Sequence, residues 1–281
     1  MSRLCRMSRL SKVFGAVVVV AMLALPAVAR AQVYESISIK TSASSDPFNM
    51  RVRINANGDF SASSLPAYFL LRYAYDLPGQ SSRFVAIPMG RGLLDVEAKA
   101  SAAPAGLSER ERWTRMQTML RAMLADRFKL VMRIDQKKMP VYALTVASGG
   151  PKLQKSPIAD QDCIVDTSSP DSCHNFPNNG RGHPLNGKAV SMDDLVLYIE
   201  NWTDLPVVNR TNLNGLFAVD AGGWKPMVLP PRPPEFPQVP NFDDLPSIFT
   251  VLGKLGLELK KQDATVPVYV MERFERPAAA Q

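Results

Sequence analysis

The chain contains Met139-Pro140-Val141-Tyr142 and, 127 residues later, the similar stretch Val266-Pro267-Val268-Tyr269. A second landmark recurs at nearly the same offset, because Asp76-Leu77-Pro78 is matched by Asp204-Leu205-Pro206. Recurrence at a fixed period indicates a duplicated structural unit. We therefore predict an α+β fold made of two tandem β-α-β-α-β-β pseudo-repeats. The alternative is an α+β chain in which such matches arise by chance.

Local patterns place helices and strands between these landmarks. In the first half, Ser64 is expected to cap a helix that runs to about Tyr75, and Ser108 opens a capping box with Glu111. The helix after Ser108 should end near Phe128 and be followed by two strands, at 130–134 and 141–146. In the second half, Ser191 and Asp194 form an S-x-x-D cap at the start of one helix, and Asn241 or Asp243 caps another that runs through Lys254.

The N-terminal 31 residues have the three parts of a secretory signal peptide. A basic segment precedes an apolar run from Val13 to Leu25, and Ala29-Arg30-Ala31 is a small-x-small cleavage site. We expect cleavage between Ala31 and Gln32. An uncleaved membrane anchor is the alternative, but the apolar run is shorter than the roughly 20 residues that span a bilayer. The prediction is a secreted or periplasmic protein with no stable membrane span after processing.

The net charge changes once this segment is set aside. Five of the 33 basic residues and none of the 26 acidic residues lie in 1–31, so the formal charge falls from +7 to +2. A strongly basic chain would suggest a nucleic-acid partner. The small excess that remains is typical of a mixed, solvated surface, and no nucleic-acid partner is predicted.

The cysteines fit an oxidising compartment. Cys5 lies in the signal peptide, which leaves Cys163 and Cys173, and these are expected to form one disulfide that closes a short loop. Together with His174 and His183 they could instead supply four zinc ligands. The spacing matches no common zinc motif, and export favours oxidation, so we predict the disulfide and no metal.

Composition divides the exported chain into two units joined by a linker. The units are predicted at 32–150 and 187–281, and the linker at 151–186 is rich in Pro, Ser, Asp, Asn and Gly and carries the two cysteines. Residues 226–240 hold seven prolines, which predicts an extended insertion within the second unit.

Catalytic patterns are weak. Both histidines lie in the linker, no G-x-S-x-G elbow presents a serine, and no glycine-rich phosphate or dinucleotide motif indicates a cofactor. The carboxylate pairs Asp193-Asp194 and Asp243-Asp244 each precede a predicted helix, where negative charge is stabilising without any catalytic role. We therefore predict no catalytic residues and no cofactor.

Several stretches of the chain have a familiar sequence, namely 34–40, 123–130, 140–144, 149–153, 206–208 and Thr211, Leu213, Gly215 and Phe217. In these stretches the chain resembles an uncharacterised secreted family with a domain of unknown function, which is expanded in soil acidobacteria. The resemblance implies a bacterial exported protein with an envelope sensing or binding role. Asn209, Asn212 and Arg133 depart from the residues common in that family.

These observations lead to a functional hypothesis. The chain is expected to be a non-catalytic binding or sensing module whose partner is a protein or small ligand of the cell envelope. A groove between the halves lined by apolar and aromatic side chains would favour this hypothesis. The alternative is a hydrolase of cell-wall or polysaccharide material, which requires two carboxylates in one cleft and a raised pKa for at least one of them.

Overall fold

The computed structural model describes residues 32–46, 49–79, 82–169, 171–177, 181–229 and 241–277. The predicted signal peptide and residues 230–240 of the Pro-rich insertion lie outside the described residues. No described helix is both long and apolar enough to cross a membrane. The chain is a mixed α+β protein, as predicted, and its elements are β1 (Ser36–Thr41), β2 (Arg51–Ile54), β3 (Phe60–Pro66), α1 (Ala67–Tyr75), β4 (Phe84–Val85), β5 (Leu93–Lys99), α2 (Glu109–Arg127), β6 (Val131–Val146), β7 (Gln154–Lys155), β8 (Val165–Asp166), β9 (Asn186–Val190), α3 (Met192–Glu200), β10 (Val207–Asn209), β11 (Phe217–Asp220), α4 (Ile248–Lys254) and β12 (Leu257–Arg273).

Four strands of the first half and β8 of the linker form a five-stranded antiparallel sheet with the strand order β1-β5-β3-β2-β8. Helices α1 and α2 complete the core of this half, and Leu70, Met119 and Phe60 represent the fully buried side chains that meet there. Helix α2 starts with the predicted capping box, in which Ser108 accepts from the Glu111 amide and Glu111 accepts from the Ser108 amide.

A second core belongs to the other half of the chain. It is formed by α3, α4 and a three-stranded sheet with the order β7-β11-β9. Leu195, Val251 and Trp224 are fully buried in it. Helix α3 begins with the predicted capping box of Ser191 and Asp194, which satisfies amides that have no partner within the helix.

The long strands β6 and β12 connect the two cores. They pair antiparallel along nearly their whole lengths, from Val146 opposite Leu257 to Val131 opposite Arg273. Tyr142 and Leu257 lie in the second core, whereas Met271 lies in the first. Each long strand therefore contributes side chains to both cores, one at each end.

Each half also adds a short strand beside the long strand of the other half. Strand β10 pairs parallel with β6 at Tyr142, and β4 pairs parallel with β12 at Tyr269. The Tyr142 amide donates to the Pro206 carbonyl at 2.8 Å, and the Tyr269 amide donates to the Arg83 carbonyl at 2.7 Å. The resulting four-stranded sheet has the order β10-β6-β12-β4, with matching contacts at its two edges.

The linker contacts both halves. Strand β8 pairs with β2 of the first half, and β7 pairs with β11 of the second half. The predicted disulfide between Cys163 and Cys173 is confirmed, with the two Cα atoms 5.7 Å apart. Both cysteines are buried in the first core, so the bond holds the linker against that core.

Loss of this disulfide is expected to lower the free energy of unfolding by about 2–3 kcal/mol, because the unfolded chain gains the entropy of the opened loop. Urea denaturation of the Cys163→Ser/Cys173→Ser variant, compared with the wild type, measures the loss. Titration of the denatured wild-type protein after export should find no free thiol before reduction. Two free thiols at that stage would contradict the prediction.

Three local predictions were wrong. Ser64 does not cap α1, because it is a buried residue with a φ of 52° at a register shift in β3, and its amide donates to Asp95. The N-cap of α4 is Ser247 rather than Asn241 or Asp243. The strands predicted at 130–134 and 141–146 form one continuous strand. The nitrogen of Pro140 lies on the same edge of β6 as that of Tyr142, but β10 pairs with β6 only from Tyr142 onward, so no donor is needed at Pro140.

Candidate functional site

The linker residue His174 lies between the first turns of α2 and α3. Its Nε2 is 2.9 Å from the carboxylate of Glu109, the first residue of α2, and its Nδ1 is 2.6 Å from that of Asp194 in α3. The His174 side chain is only 5% exposed. Its main chain is held by a hydrogen bond from its amide to the Ala189 carbonyl, directly after the disulfide residue Cys173. The linker therefore ties the two helices together.

The two carboxylates determine the charge of this histidine. Burial by itself lowers the pKa of an imidazole, but Asp194 and Glu109 outweigh it and raise the pKa of His174 to about 10. Burial likewise opposes ionisation of Asp194, yet His174 and the Ser191 hydrogen bonds lower the pKa of its carboxyl. His174 is therefore an imidazolium at neutral pH whose two N–H groups both donate. It has no lone pair with which to act as a base.

Trp113 connects this ion cluster to a carboxyl group on α1. The indole ring packs against the His174 ring in a tilted arrangement, with centroids 4.6 Å apart and an interplanar angle of 31°. Its Nε1 donates to Oδ1 of Asp76 at 3.3 Å. Asp76 ends α1 in the left-handed conformation, with a φ of 49°. The turn directs this carboxyl towards α2.

The environment of Asp76 raises the pKa of its carboxyl group. Desolvation by the surrounding protein raises its pKa, and the nearby charge of Asp194 acts in the same direction. Hydrogen bonds from Gln117 and Trp113 and the charge of Arg121 oppose the rise without cancelling it. Asp76 and Asp194 are therefore neighbouring carboxyls whose pKa values shift in opposite directions.

Two clefts meet at these residues, and Asp76, Trp113, His174, Asp194 and Leu197 line both. The first, which we name the polar cleft, has a volume of about 470 Å³ and lies between α2, α3, β10 and β12. The second, which we name the aromatic cleft, has a volume of about 600 Å³. Its wall is formed chiefly by Phe69, Tyr73, Trp113, Phe176 and Tyr198.

The polar cleft contains the exposed member of one predicted carboxylate pair. The Asp193 carboxylate accepts from the Arg110 guanidinium at 2.5 Å and from the side-chain Nδ2 of Asn209 at 2.7 Å. Asp194 faces the ion cluster and also completes the capping box of α3. Helix capping therefore explains only part of the role of Asp194, because the same carboxylate also binds His174.

The other predicted pair lies elsewhere. Asp243 and Asp244 form exposed ion pairs with Lys225 and Arg181 and line neither cleft. Arg133, one of the departures from the resembled family, pairs with Asp135 and Glu272 on the exposed part of the β6–β12 ribbon. These residues do not contribute to the candidate site.

His183 has a different environment from His174. Its ring stacks on Trp202 with centroids 3.5 Å apart, and both ring nitrogens are buried without a hydrogen-bond partner among the described residues. With both cysteines in the disulfide, the four residues considered as zinc ligands do not form a metal site. Among the described residues, no group of three or more His, Cys, Asp or Glu side chains has an arrangement that could hold a metal ion.

Folding stability is expected to fall as the pH decreases from about 6.5 to 4, because His183 must remain neutral in the fold. Burial lowers the pKa of His183 to about 4, whereas the unfolded chain takes up a proton near pH 6.5. The loss from this residue should be at most about 1.4 kcal/mol per pH unit in this window. Urea titrations at several pH values should show that the free energy of unfolding falls less steeply with decreasing pH in His183→Phe, a variant that keeps the stacking on Trp202. An identical decline in the variant would contradict the prediction.

Sequence reasoning missed the centre of the site. It found the capping boxes that position Glu109 and Asp194, but it placed His174 on a linker with no rigid support. The available signal was the adjacency of His174 to the disulfide residue Cys173. A residue next to a buried disulfide has a fixed main chain even when it lies outside helices and strands.

Comparison with known proteins identifies the family of the chain. Residues 69–274 match the family model described as a protein of unknown function, DUF3738, and this range contains Asp76, Glu109, Trp113, His174 and Asp194. Searches of curated proteins and of solved structures find no match. Since the match spans well over half of the 281 residues, the chain belongs to the DUF3738 family of proteins of unknown function.

Proposed function

We propose that this protein is an exported bacterial binding module whose two clefts form one ligand site around Trp113. The observation that carries the proposal is the junction of the clefts, where an indole, an accessible carboxyl and a buried ion cluster meet. Concave sites with apolar walls and a few convergent polar groups are typical of small-ligand binding. The ligand is a small molecule or a protein segment of the cell envelope.

The ion cluster supports binding rather than catalysis. Both nitrogens of His174 are engaged, and the Asp194 carboxylate accepts from His174, the Ser191 amide and the Ser191 hydroxyl. Side chains whose hydrogen-bonding atoms are occupied in this way hold α2 and α3 at a fixed separation. They are poorly suited to exchange a proton with a substrate. A preformed site loses less entropy when its ligand binds.

The binding proposal can be tested by a thermal-shift screen of protein produced from the full-length chain. The probes are amino acids, dipeptides, amino sugars, monosaccharide phosphates and phospholipid headgroups. We expect at least one probe class to raise the melting temperature of the wild type but not that of Trp113→Leu. Tyr34→Phe, changed at a buried position that lines neither cleft, serves as the control and should respond like the wild type. The absence of a shift with every class would overturn the proposal.

Export is the second part of the proposal. It rests on the three-part N-terminal segment, on the confirmed disulfide and on the resemblance to secreted acidobacterial proteins. We predict that the protein recovered from the periplasm or medium of a bacterial host begins at Gln32. N-terminal sequencing checks this, with Ala29→Arg/Ala31→Arg as the variant that should block processing. A mature protein that retains Met1 would contradict cleavage.

A carboxylate hydrolase is the second candidate, favoured by one observation. Asp76 is a carboxyl with a raised pKa beside the ionised Asp194, and such divergence is typical of acid and base pairs. The engagement of Asp194 by His174 makes this candidate the weaker one. Release of reducing sugar or of peptide from purified cell walls, abolished in Asp76→Asn, would support it. Equal release by wild type and Asp76→Asn would exclude this role for Asp76.

We also infer that units 32–150 and 187–281, joined by the linker 151–186, are pseudo-repeats. The matched edge contacts of Tyr142 and Tyr269 support this inference, since each half adds a short strand to the long strand of the other. The electrostatic contacts follow the same pattern. Burial raises the pKa of Tyr142 and of Tyr269, and a nearby carboxylate adds to each rise, Asp204 for Tyr142 and Asp76 for Tyr269. Because each half pairs a strand with the other half, we infer that the two halves fold together.

A further inference from the structure

Two opposite charges face the aromatic cleft at the end of α1 without pairing with each other. Arg72 and Asp76 both line this cleft, and neither forms an ion pair with any described residue. Side chains four residues apart on a helix commonly pair. Here Asp76 lies beyond the last residue of the helix, in the left-handed conformation. Its carboxyl therefore does not follow Arg72 along the same face of the helix.

Other contacts hold each charge in its place. The Arg72 Nε donates to the Leu77 carbonyl at 3.1 Å, and the guanidinium lies 5.3 Å from the centre of the Phe69 ring. No hydrogen bond to a described residue occupies its two terminal nitrogens. The Asp76 carboxyl is held by the Trp113 indole. The cleft thus presents a fork of N–H donors and a separate carboxyl acceptor, each anchored by its neighbours.

The rest of the wall is aromatic and contains one unsatisfied polar atom. Phe176 stacks on Tyr198 with ring centroids 4.6 Å apart. The Tyr198 hydroxyl is buried and has no hydrogen-bond partner in the described structure. A buried hydroxyl without a partner costs free energy, which a ligand with a polar group near it would recover.

We propose that the aromatic cleft binds a zwitterion with an aromatic or branched apolar body, namely an amino acid or a dipeptide, between Arg72 and Asp76. This rests on the proposed binding function and specifies its ligand. A carboxylate matches the planar fork of a guanidinium, and an ammonium group matches a carboxylate. The aromatic wall accommodates the apolar body, and the volume of about 600 Å³ suits a small molecule.

The electrostatics of Asp76 agree with a cationic group at this position. Asp194 and desolvation both disfavour its ionised form, while Arg121 and the donors Trp113 and Gln117 only partly compensate. An ammonium group beside Asp76 would favour ionisation, so binding should release a proton when the free carboxyl is protonated. The terminal nitrogens of Arg72 can donate to an anionic group, which a simple cation does not offer.

The test is isothermal titration of protein produced from the full-length chain with defined probes. The zwitterions are L-phenylalanine and the dipeptide Phe-Phe, which distinguish the two ligand sources. N-acetyl-L-phenylalanine lacks the ammonium, L-phenylalaninamide lacks the carboxylate, and glycine lacks the apolar body. We expect one zwitterion to bind, and the three incomplete probes to bind at least tenfold more weakly. Equal binding of the two blocked probes and L-phenylalanine would overturn the proposal.

Variants locate the site. Arg72→Gln and Asp76→Asn should each weaken zwitterion binding at least tenfold, while their matched surface controls Arg127→Gln and Asp126→Asn should bind like the wild type. Tyr198→Phe should fold normally and bind more weakly if its hydroxyl contacts the ligand. Unchanged binding in both Arg72→Gln and Asp76→Asn would overturn the proposal whatever the Tyr198→Phe result.

Failure of this inference can be distinguished from failure of the proposed function. If amino sugars or phosphates shift the melting temperature through Trp113 while both zwitterions fail to bind, the zwitterion inference is wrong and the binding function stands. If every probe class fails, both are wrong.

Discussion

Replacement of His174 by phenylalanine is expected to lower the free energy of unfolding by about 3–5 kcal/mol. The change removes the cation that lies between Glu109 and Asp194 and leaves two carboxylates facing each other. Their side chains are only 12% and 13% exposed, so water compensates poorly for the lost partner. The ring contact with Trp113 can persist in the variant, which isolates the electrostatic contribution. Urea denaturation followed by circular dichroism at pH 7 measures the difference.

A second set of variants tests whether unpaired charge is the cause. Adding Glu109→Gln and Asp194→Asn to His174→Phe should recover part of the loss, because neutral amides are less costly to bury than unpaired carboxylates. A loss below about 1 kcal/mol in His174→Phe would contradict the ion-cluster interpretation, since this is the range of exposed pairs.

The pH dependence of the same variant gives an independent measurement. The pKa of His174 is about 10 in the fold and near 6.5 in the unfolded chain. Its stabilisation is therefore fully present below pH 6.5 and is lost as the pH rises towards 10. The stability difference between wild type and His174→Phe should narrow over that range. A constant difference would show that packing, rather than charge, explains the loss.

Replacement of Glu200 by leucine is expected to lower the free energy of unfolding by about 3–5 kcal/mol, because it removes the buried carboxylate that pairs with Arg83. Glu200, at the end of α3, is 1% exposed and accepts from two nitrogens of Arg83 at 3.0 and 2.5 Å. It also accepts from the Val207 amide at 3.0 Å. One carboxylate thus connects the residue before β4 to both α3 and β10, and so joins the two halves.

The double variant Arg83→Met/Glu200→Leu should be more stable than Glu200→Leu alone, because it also removes the guanidinium that pairs with Glu200 in the wild type. Asp243→Asn is the matched control, since it breaks an exposed pair with Lys225 that should contribute less than about 1 kcal/mol. A thermodynamic cycle built from urea titrations of the wild type, Arg83→Met, Glu200→Leu and the double variant measures the coupling energy between the two side chains. Additive effects within about 0.5 kcal/mol would contradict a direct buried pair.

Local interactions explain the features that could be predicted from the sequence. The boxes at Ser108 and Ser191 use residues three positions apart, and Cys163 and Cys173 are separated by a short loop. The errors occurred where distant chain segments decide the outcome. Pro140 would normally interrupt a strand, but it lies at an edge that needs no donor, and Ser64 is held by the carboxylate of Asp95.

By itself, the sequence determined the α+β class, the capped starts of α2 and α3 and the disulfide, because each depends on residues that are close along the chain. Only the tertiary structure decided that Glu109, His174 and Asp194 form one buried ion cluster and that Arg72 and Asp76 share a cleft with Tyr198. These residues come from α1, α2, the linker and α3. Their proximity depends on the two-core packing around β6 and β12, which short-range patterns do not encode.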